Sequence, residues 1–502
     1  MSNHMTISAI AEIAGGRVEN TENAENTAAV DINAISLDSR AVTSGAMFAA
    51  LPGTRTHGAT FAYDSAASAV LTDEDGWAHL KKAGETRPVV VVKHVRDILG
   101  DVASAIYGYP SSKLTVLGVT GTSGKTTTTY MLEAGLTAAG KKVGLIGTTG
   151  TRIMGEDVPT SLTTPEAPKL QELFAEMVAR GVTHVVMEVS SHALVLGRVG
   201  GTQFTAAGFT NLSQDHLDFH PTMEEYFEAK ALLFDDSLKA SVICVDDEWG
   251  EKMAARAHNV IRVGTKNQDN VDCSARLLST TDSGAQDVEL VLNGTAHQFR
   301  LPLPGAFNVA NAALAAALAN SVGVDVKKFL SGIEGAAVPG RMERINSGQE
   351  FIAVVDYAHK PAAIAAALTT LREQVNGRIG VVVGAGGDRD QSKRAPMGEE
   401  AAKRADLVII TDDNPRSEDP ATIREAVRAG AEKVAGPEVR EIGSRSEAIK
   451  ELVAWAQPGD AVIVVGKGHE VGQIIGDEVH HFDDREEVRA ALANLGFKED
   501  RP

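Results

Sequence analysis

Short apolar runs alternate with longer segments of mixed polarity through most of the chain. Between residues 114 and 247 the runs are LTVLGV, KVGLIG, THVVMEV, AAGFTNL and ASVICVDD, and helix-like segments lie between them. Strands that consist of unbroken apolar residues are typical of a parallel sheet covered by helices on both faces. The pattern therefore predicts an α/β fold with a parallel central sheet.

The same rhythm returns nearer the end of the chain, in FIAVVDYAH, RIGVVVGAGGDRD, DLVIITDDNPR and DAVIVVGKGHE. Each apolar run ends in a polar turn, and ligands of open α/β sheets collect at the carboxyl ends of the strands. We therefore predict a second, Rossmann-like sheet with a ligand cleft along that edge. Between these runs Ile449, Leu452, Val453 and Ala456 recur at helical spacing and predict one apolar helix face.

Three α/β domains are expected, because 502 residues are too many for one hydrophobic core. The apolar pieces at the start of the chain are short: AMFAAL, SAVLT and PVVVV. GYPSSK (108–113) combines Gly, Pro and Ser and predicts a linker. AAVPGRMERI (336–345) has the composition of the next boundary. The predicted domains are a small N-terminal domain over 1–111, a central domain over 112–338 and a C-terminal domain over 339–502.

Composition and charge narrow the class of protein. Hydrophobic residues make up 43% and charged residues 23%, which is ordinary globular composition. The formal net charge of -19 argues against nucleic-acid binding or adhesion to anionic membranes, although a local cationic cluster still permits a small anionic substrate. Only Cys244 and Cys273 are present, which favours a reducing compartment. The N-terminus lacks the pattern of a signal peptide, and no apolar run approaches the ~20 residues of a membrane span. We expect a cytoplasmic enzyme without membrane insertion.

The stretch GVTGTSGKTTTTYML (118–132) predicts a phosphate-binding loop. Gly124, Lys125 and Thr126 fit the end of the Walker A pattern, but Val119 stands where its first glycine belongs. The structural features that bind a phosphate are still expected: a strand, a loop of exposed backbone N–H groups, and a helix N-terminus. Lys125 would neutralise phosphate charge and the Thr126 hydroxyl would reach Mg²⁺. A plain Gly-Thr turn with a solvated lysine is the alternative, and the loop alone leaves kinases, ATPases, GTPases and ligases open.

Two further motifs follow apolar strands in this domain, MEVSSHALVLGR (187–198) and NLSQDHLDFH (211–220). They place Glu188 and His216 at strand ends, near the predicted phosphates. Mg²⁺ prefers oxygen ligands, and histidine is a less usual one. A single histidine in such a place is more often a hydrogen-bonded core residue, so chemistry alone leaves this metal site open.

The motifs together resemble those of the Mur ligases, ATP-dependent amide-forming enzymes of peptidoglycan synthesis. In that family's order the chain contains SLDSRAV, GTSGKTT, EVSSHAL, NLSQDHLDFH, AKALLF, GAFNVANAALA, PGRME, DYAHKP, GGDRD, DNPRSEDP and GKGHE. The resemblance is greatest to the member that adds the third amino acid to UDP-MurNAc-dipeptide. It implies that the N-terminal domain binds UDP, that the central domain is a P-loop-type ATPase domain, and that the C-terminal domain binds an amino acid.

The resemblance also implies the reaction and its cofactors, ATP and Mg²⁺. ATP would phosphorylate a substrate carboxylate, and an amine would then displace phosphate from the acyl phosphate. Lys230 matches a family lysine that carries a carbamate, whose anionic oxygens suit Mg²⁺ better than an ammonium group does; without the resemblance Lys230 would be a surface lysine. The implied catalytic residues are Lys125, Glu188, His216 and Lys230. The implied metal contacts are Thr126, Glu188, His216 and carbamylated Lys230. The implied nucleotide contacts are Gly121, Thr122, Ser123, Gly124, Lys125, Thr126, Thr127, Asn308, Arg341 and Asp356.

Positions that match contacts to UDP-MurNAc-L-Ala-D-Glu are spread over the first two domains. They are Leu37, Ser39, Thr54, Arg55, Thr56, Thr163, Thr164, Ser190 and Arg198. The chain departs from the family pattern at two places: Leu162 stands where some members have Asn, and Leu196 where some have Gln. Both departures remove a polar contact to this substrate.

The amino acid that is added is predicted to be meso-diaminopimelate, which is lysine with one more carboxylate. Arg416 of DNPR lies at a predicted strand end, and a guanidinium group binds a carboxylate through two parallel hydrogen bonds. Lysine as the substrate would leave this guanidinium facing another cation. The alternative is a structural salt bridge from Arg416 to Glu418 or Asp419. The residues expected at the amino-acid site are Arg389, Asp413, Asn414, Pro415, Arg416, Gly466 and Glu470.

Three other functions stay open at this point. A lysine-adding ligase of the same family and a folylpolyglutamate synthetase-like ligase share the loop and the fold. A non-catalytic nucleotide-binding regulator would have no use for Lys125, Glu188, His216 and Lys230 together. The predicted partners are the two small-molecule substrates, with no nucleic acid, and the chain is expected to be a monomer whose domains close over the reactants.

Overall fold

The computed structural model describes residues 4–20, 30–160, 162–217, 219–266, 270–281 and 284–497. Its strands form three main sheets that follow one another along the chain. The three-domain α/β architecture predicted from the sequence is confirmed, with mixed rather than purely parallel sheets. Among the described residues, no helix is long and apolar enough to cross a membrane.

The N-terminal sheet has five strands in the order β2-β7-β6-β5-β4, and only β2 runs antiparallel to its neighbour. A two-stranded ribbon, β1-β3, accompanies it. The elements are β1 (Met5–Thr6), α1 (Ile7–Ala14), β2 (Arg17–Glu19), β3 (Asp31–Ile32), β4 (Ala34–Ser36), β5 (Ala46–Ala49), β6 (Ala69–Thr72), α2 (Glu74–Lys82), β7 (Val89–Val91) and α3 (Val95–Ile106). Residues of both sheet faces are buried in hydrophobic clusters.

The segment predicted as a linker is a packed turn. A 3₁₀ helix, Pro110–Lys113, joins α3 to the first strand of the central sheet, and both Pro110 and Ser111 are buried. The Ser111 hydroxyl accepts a hydrogen bond from the Gln203 backbone N–H over 3.1 Å. Because both residues are buried, this segment is a fixed corner between the two domains.

The central sheet has eleven strands in the order β11-β10-β9-β12-β8-β13-β14-β15-β16-β17-β18. Strands β9 to β16 in that order are parallel, and antiparallel strands extend both edges. The elements are β8 (Thr115–Thr120), α4 (Lys125–Ala138), β9 (Val143–Gly147), β10 (Gly150–Ile153), β11 (Glu156–Val158), α5 (Ala167–Ala179), β12 (His184–Glu188), α6 (Ser191–Val195), β13 (Ala206–Phe209), α7 (Met223–Ala231), β14 (Ala240–Cys244), α8 (Glu248–Arg256), β15 (Val260–Gly264), β16 (Cys273–Thr280), β17 (Gln286–Leu292), β18 (Thr295–Leu301), α9 (Ala306–Ser321) and α10 (Val326–Ile333).

Helices cover both faces of this sheet, as the unbroken apolar strands predict. One cluster packs α4, α9 and α10 against residues such as Leu117, and the other packs α5 and α7 against residues such as Val116. Alternate side chains of β8 therefore enter opposite cores, which fixes its register. With β8 held in this way, the loop that follows it leaves the carboxyl edge in a fixed direction.

The C-terminal sheet has six strands in the order β19-β20-β24-β21-β22-β23, and all but β19 are parallel. The elements are β19 (Glu343–Arg344), β20 (Ile352–Asp356), α11 (Pro361–Arg372), β21 (Ile379–Val383), α12 (Arg394–Ala402), β22 (Leu407–Ile410), α13 (Pro420–Ala431), β23 (Glu438–Glu441), α14 (Arg445–Trp455), β24 (Ala461–Val465), β25 (Gly472–Ile475), β26 (Glu478–His481) and α15 (Asp484–Asn494). Helix α14 buries Ile449, Leu452 and Val453 as predicted but ends at Trp455, before Ala456.

The first two domains touch through backbone. A Cβ atom on Gly100 of α3 would lie 2.3 Å from the carbonyl carbon of Gly200, so only glycine permits this approach. Nearby, Glu166 accepts from Arg96 of the first domain over 3.0 Å and forms an ion pair with Arg198 of the second, with 2.8 Å between Oε1 and Nε. The interface between the first two domains therefore combines a close backbone contact with ion pairs. The boundaries placed after residues 111 and 338 remain predictions, although the sheets change between β7 and β8 and between β18 and β19.

Candidate active site

A cavity of about 890 Å³ lies between the central and C-terminal domains. One wall is the loop after β8 with the ends of β12 and β13, and the other is the carboxyl edge of the C-terminal sheet. The polar turns after β20, β21, β22 and β24 all contribute to it, through Asp356, Arg389, Asn414 and Glu470 among others. The predicted cleft at that edge is therefore present, and the central domain forms its opposite side.

The loop between β8 and α4 has the shape of a phosphate cradle. Gly121 has φ 144° and Gly124 has φ 89°, values in the region that favours glycine. A Cβ atom on Gly121 would lie 1.9 Å from Thr210 Oγ1, and one on Gly124 would lie 2.4 Å from Asn311 Oδ1. Val119 is instead buried inside β8. The glycine that the loop geometry requires is therefore Gly121, two positions after Val119, where the Walker A pattern has its first glycine.

Lys125 is the first residue of α4, and its side chain folds back over the loop. Its Nζ donates to the carbonyl oxygens of Gly121 over 2.9 Å and Thr122 over 3.1 Å. Burial, reinforced by the nearby Lys360, lowers the pKa of Lys125 to about 8. Loop carbonyls thus hold the ammonium group where it can turn to a bound anion.

Glu188 ends β12 and is 1% exposed. Its carboxylate accepts from the Thr148 backbone N–H over 2.8 Å and from the Thr148 hydroxyl over 3.0 Å. A Cβ atom on Gly147, the last residue of β9, would lie 2.5 Å from Glu188 Oε1, so a larger residue there would displace the carboxylate. The carboxylate is rigidly oriented and lines the cavity.

His216 lies in the loop after β13, with a φ of 53°. Its Nε2 is 3.0 Å from Asp215 Oδ2, and its ring meets that of His192 edge-on at 4.9 Å between centroids. Burial lowers the pKa of His216 to about 3, against the opposing effect of Asp215, so the ring is neutral at neutral pH. Neutral imidazole is the form that ligates metals.

Lys230 is not among the residues that line the cavity. It is 1% exposed near the end of α7, with its Nζ 4.4 Å from the centroid of the Tyr226 ring. It donates to the Gly121 carbonyl oxygen over 2.9 Å, from behind the loop. Burial, with Lys125 and Lys360 close by, holds the pKa of Lys230 well below its usual range. Lys230 is therefore a buried lysine rather than the surface lysine considered as the alternative.

The other predicted nucleotide residues meet where the two domains join. Arg341 Nη2 donates to Thr126 Oγ1 over 3.2 Å, and its guanidinium lies 4.4 Å from the centroid of the Tyr357 ring. Asp356 accepts from the backbone N–H groups of Met342 and Ala358 over 2.6 and 2.8 Å. Asn308 donates to the Pro304 carbonyl oxygen over 2.7 Å. Burial raises the pKa of Asp356, whose hydrogen bonds pin the interdomain segment.

The residues expected to hold the muramoyl peptide lie along the central-domain wall. The Thr164 hydroxyl donates to the Glu188 carbonyl oxygen over 2.9 Å, and Ser190 caps α6 by accepting from the Ala193 backbone N–H. Thr163, Thr164, Ser190 and Arg198 all line the cavity. So does Leu162, which is 39% exposed and makes this part of the wall apolar.

The residues expected to bind UDP lie apart from this cavity. Leu37 and Ser39 follow β4, and Thr54, Arg55 and Thr56 form an exposed loop closed by a bridge between Pro52 and His57. None of the five lines the cavity between the central and C-terminal domains. A ligand that reaches both places must be extended.

The C-terminal wall carries the predicted amino-acid residues. Asn414 donates to Glu470 Oε2 over 3.0 Å and accepts from the fully buried Lys467 over 3.0 Å. A Cβ atom on Gly466 would lie 2.6 Å from Asp413 Oδ2. Pro415 follows in the same turn but does not line the cavity. These hydrogen bonds fix the turn that carries Arg416.

Arg416 itself has a φ of 52° and donates to the Gly387 carbonyl oxygen over 2.8 Å. Burial, and after it the neighbouring Arg389, lower the pKa of Arg416. The salt bridge considered as an alternative is not formed among the described residues, since Glu418 pairs with Arg394 over 2.8 Å and Asp419 caps α13. Two guanidinium groups thus face one cavity, an arrangement that suits a carboxylate.

The donor set on the central wall fits Mg²⁺ bound together with a triphosphate. Thr126 and Glu188 supply oxygen atoms to the same cavity, and Mg²⁺ commonly takes one or two protein carboxylates with substrate phosphates and water. Within the described part of the chain, no three His, Cys, Asp or Glu side chains converge as a preformed metal site. A metal here would therefore depend on ligands from the substrate.

Sequence reasoning missed two residues that the structure places centrally, Lys360 and Asp215. Lys360 Nζ lies 2.7 Å from Asp215 Oδ2, and the pair joins the C-terminal domain to the central one. Burial opposes ionisation of Asp215, but Lys360 and then His216 outweigh it and hold the pKa of Asp215 below its usual range. Both lie inside the quoted motifs DYAHKP and NLSQDH, where only Asp356 and His216 had been singled out. The buried Lys467 of GKGHE was missed in the same way.

Comparison with known proteins covers all three domains. Family models described as Mur ligase family, catalytic domain; Mur ligase middle domain; and Mur ligase, glutamate ligase domain match residues 31–107, 119–319 and 340–468.

Similar curated proteins carry one name, UDP-N-acetylmuramoyl-L-alanyl-D-glutamate–2,6-diaminopimelate ligase. The protein from Corynebacterium glutamicum is 64% identical over 92% of this chain and 92% of its own, and that from Corynebacterium efficiens is 58% identical over 97% and 94%. A solved structure of a protein with that name has a TM-score of 0.65 at 34% identity and covers 93% of this chain and 96% of its own. These matches extend over nearly the whole sequence, and the chain belongs to the Mur ligase family.

Proposed function

We propose that the protein is the ATP-dependent ligase that joins meso-diaminopimelate to the D-glutamate carboxylate of UDP-MurNAc-L-Ala-D-Glu, in peptidoglycan precursor synthesis. The observation that carries the proposal is the single cavity with a phosphate loop on one wall and Arg389 with Arg416 on the other. The names of the relatives in Corynebacterium support the same substrates.

ATP is proposed to lie with its phosphates against the loop 121–127 and its remaining parts near Asn308, Arg341 and Asp356. Backbone N–H groups at the start of α4 and the Lys125 ammonium group would neutralise the phosphates. Mg²⁺, held by Thr126, Glu188, His216 and Lys230 as its carbamate, would supply further charge neutralisation. The chain's own contribution is to orient the terminal phosphoryl group and to exclude water from it.

The buried state of Lys230 supports its proposed carbamate. An uncharged amine adds to CO₂ and releases a proton, whereas an ammonium group has no lone pair to do so. Burial lowers the pKa of Lys230 and so favours the uncharged amine, the form that reacts with CO₂. The product would be anionic, which relieves the excess of positive charge around the loop.

The acceptor substrate is proposed to extend from the first domain into the cavity. Its uridine diphosphate would lie at Leu37, Ser39 and residues 54–56, and its peptide would lie along Thr163, Thr164, Ser190 and Arg198. The separation of the two groups fits a long nucleotide-sugar peptide. Leu162 replaces a polar contact at the cavity wall, so the peptide would pack there without a hydrogen bond.

The chemistry then proceeds in two steps. A carboxylate oxygen of D-glutamate attacks the terminal phosphorus, the bond to the bridging oxygen breaks, and ADP leaves. The amine of diaminopimelate attacks the acyl carbon and loses a proton, and phosphate departs from the tetrahedral intermediate. Cationic donors around the loop stabilise the charge that develops on oxygen in both steps.

Selection of the amine is proposed to rest on Arg416 and Arg389. A distal carboxylate would accept from both guanidinium groups, while Asp413, Asn414 and Glu470 would hold the amino groups. L-Lysine would bring its ammonium group against Arg416 instead. Folylpolyglutamate synthases share the fold, at 20% identity for the enzyme from Mycobacterium tuberculosis, and a regulator without catalysis would not need this wall.

The test is ATP turnover by the purified full chain with UDP-MurNAc-L-Ala-D-Glu. ADP and tripeptide product should form with meso-diaminopimelate and at a rate lower by two orders of magnitude or more with L-lysine, about the discrimination that a lost charged pair gives. Equal rates would mean a ligase of broader specificity, and turnover only with a folate substrate would overturn the proposal.

The protein is further proposed to act as a cytoplasmic monomer, which light scattering and cell fractionation would check.

A further inference from the structure

Three lysine side chains converge on two neighbouring carbonyl oxygens of the phosphate loop. Lys125 and Lys230 donate to Gly121 O, each over 2.9 Å. Lys125 also donates to Thr122 O over 3.1 Å, and Lys360 reaches that same oxygen over 3.3 Å. Two of these lysines belong to the central domain, whereas Lys360 arrives from the other side of the cavity.

Lys360 is built into the site rather than resting at its surface. It is the residue immediately before α11, it is 8% exposed, and it lines the cavity. Its ammonium group pairs with the buried carboxylate of Asp215 at 2.7 Å. This ion pair crosses the domain junction, so the position of Lys360 depends on the two domains being together.

Cationic side chains are concentrated around the loop. Lys125, Lys360 and Arg341 line the cavity together with three buried carboxylates, Asp215, Glu188 and Asp356. Burial takes these ammonium groups away from water, and a polyanion bound at the loop would compensate their charge.

We propose that Lys360 binds the terminal phosphoryl group of ATP, so that this group bridges the C-terminal and central domains. The inference rests on the proposed use of ATP. The terminal phosphoryl group passes to the carboxylate whose acyl carbon the amine then attacks, and the amine site at Arg389 and Arg416 belongs to the same domain as Lys360. Lys125 starts α4 in the central domain and meets the phosphates from the opposite side.

The contacts of Lys125 and Lys360 explain how the terminal phosphoryl group would bridge the two domains. In the structure the Thr122 carbonyl oxygen accepts from both Lys125 and Lys360. A phosphoryl oxygen is a stronger acceptor for both ammonium groups than a neutral carbonyl oxygen is. When the group is present it bridges a lysine of each domain, and when it has been transferred and released the bridge is lost.

The experiment compares two nucleotides on the full-length chain by isothermal titration calorimetry. One is the β,γ-imido analogue of ATP, which has a terminal phosphoryl group, and the other is ADP, which lacks it. Lys360→Met should weaken binding of the analogue about tenfold or more, the range expected for a lost charge-assisted hydrogen bond, with ADP affinity within about twofold of the unsubstituted protein. Lys433→Met, at an exposed lysine of the same domain, should change neither.

An equal loss for both nucleotides, or no loss for either, would overturn the role of Lys360 while leaving the proposed ligase intact. Failure of the unsubstituted protein to bind either nucleotide would overturn the proposed function as well. Circular dichroism checks folding, and Lys360→Gln, which keeps a polar side chain of similar length, makes the same comparison if Lys360→Met does not fold.

Discussion

Lys125 and Lys230 donate to one oxygen atom, the carbonyl of Gly121, each over 2.9 Å. Lys125 approaches from the cavity side and Lys230 from behind the loop. Two ammonium groups so close to one acceptor repel each other, and burial favours their neutral forms. The phosphate loop therefore has a charge that depends on pH and on what is bound.

Binding of ATP should take up protons at alkaline pH. The pKa of Lys125 is lowered to about 8 in the ligand-free site, and the groups that act on it besides burial are Lys360, Glu188, Asp215 and Arg341. A bound triphosphate favours the ammonium form and raises this pKa again. Above pH 8 the free protein has lost the proton that the complex keeps, so affinity should fall as the pH rises, by up to about tenfold per unit.

Calorimetry at about pH 8.5, in buffers of different ionisation enthalpy, measures this uptake directly. Near pH 6 the free lysine is already protonated and the uptake by Lys125 should vanish. Proton release on binding at the higher pH would contradict the assignment.

Replacement of Lys230 by arginine should abolish carbamate formation, because a guanidinium group stays protonated. Carbon-13 bicarbonate should give a carbamate resonance in the unsubstituted protein that is missing from Lys230→Arg. We expect turnover to fall by about 100-fold or more, the cost of removing one electrostatic contact in such sites. Lys239→Arg, in the turn just before β14, is the matched control and should keep both the resonance and the activity. A variant at position 230 with full activity would show that the carbamate is dispensable.

Arg416→Met should impair use of diaminopimelate much more than use of ATP. The KM for diaminopimelate is expected to rise about 100-fold, the loss expected for a bidentate ion pair in a closed site, while the KM for ATP changes less than about twofold. Arg428→Met removes an arginine that makes exposed ion pairs on α13 and should leave both constants unchanged. A parallel rise in both KM values would remove Arg416 from the amino-acid site.

Gly124→Ala should block nucleotide binding, and Gly140→Ala supplies its control. Both glycines have positive φ, 89° and 78°, so alanine strains the backbone at each by about 1–2 kcal/mol. Only at Gly124 does the added Cβ also meet an atom, Asn311 Oδ1 at 2.4 Å, while nothing lies within 4 Å at Gly140. Urea unfolding should report a loss of stability for both variants, larger for Gly124→Ala because of the added clash, and only Gly124→Ala should lose ATP turnover. Equal activity of the two variants would mean that the loop tolerates displacement from Asn311.

Much of the fold could be predicted from the sequence, because strands that are buried on both faces appear as continuous apolar runs. The runs that predicted strands coincide with β8, β9, β12, β13 and β14, and with β20, β21, β22 and β24. The antiparallel strands at the edges of the central sheet were not predicted, since β18 exposes most of its residues and carries no continuous apolar signal. GYPSSK resembled a linker because composition does not report that Pro110 and Ser111 are buried.

The candidate active site could be predicted from the sequence only in part. Lys125, Glu188 and Arg416, which the motifs single out, all line one cavity, and their roles there remain predictions. The pairing of Lys360 with Asp215 joins residues 145 positions apart, 360 minus 215, in different domains. No periodicity within either segment contains that information, which depends on how the two sheets face each other.

The C-terminal sheet and its helices are formed by one uninterrupted stretch, and the chain passes into it once, through the residues that Asp356 holds by the Met342 backbone N–H. Recombination at that single junction would exchange the whole amine-binding module while the phosphate loop and its sheet remained untouched. New amine specificities therefore have a short evolutionary route, provided that the incoming module keeps a lysine to meet Asp215.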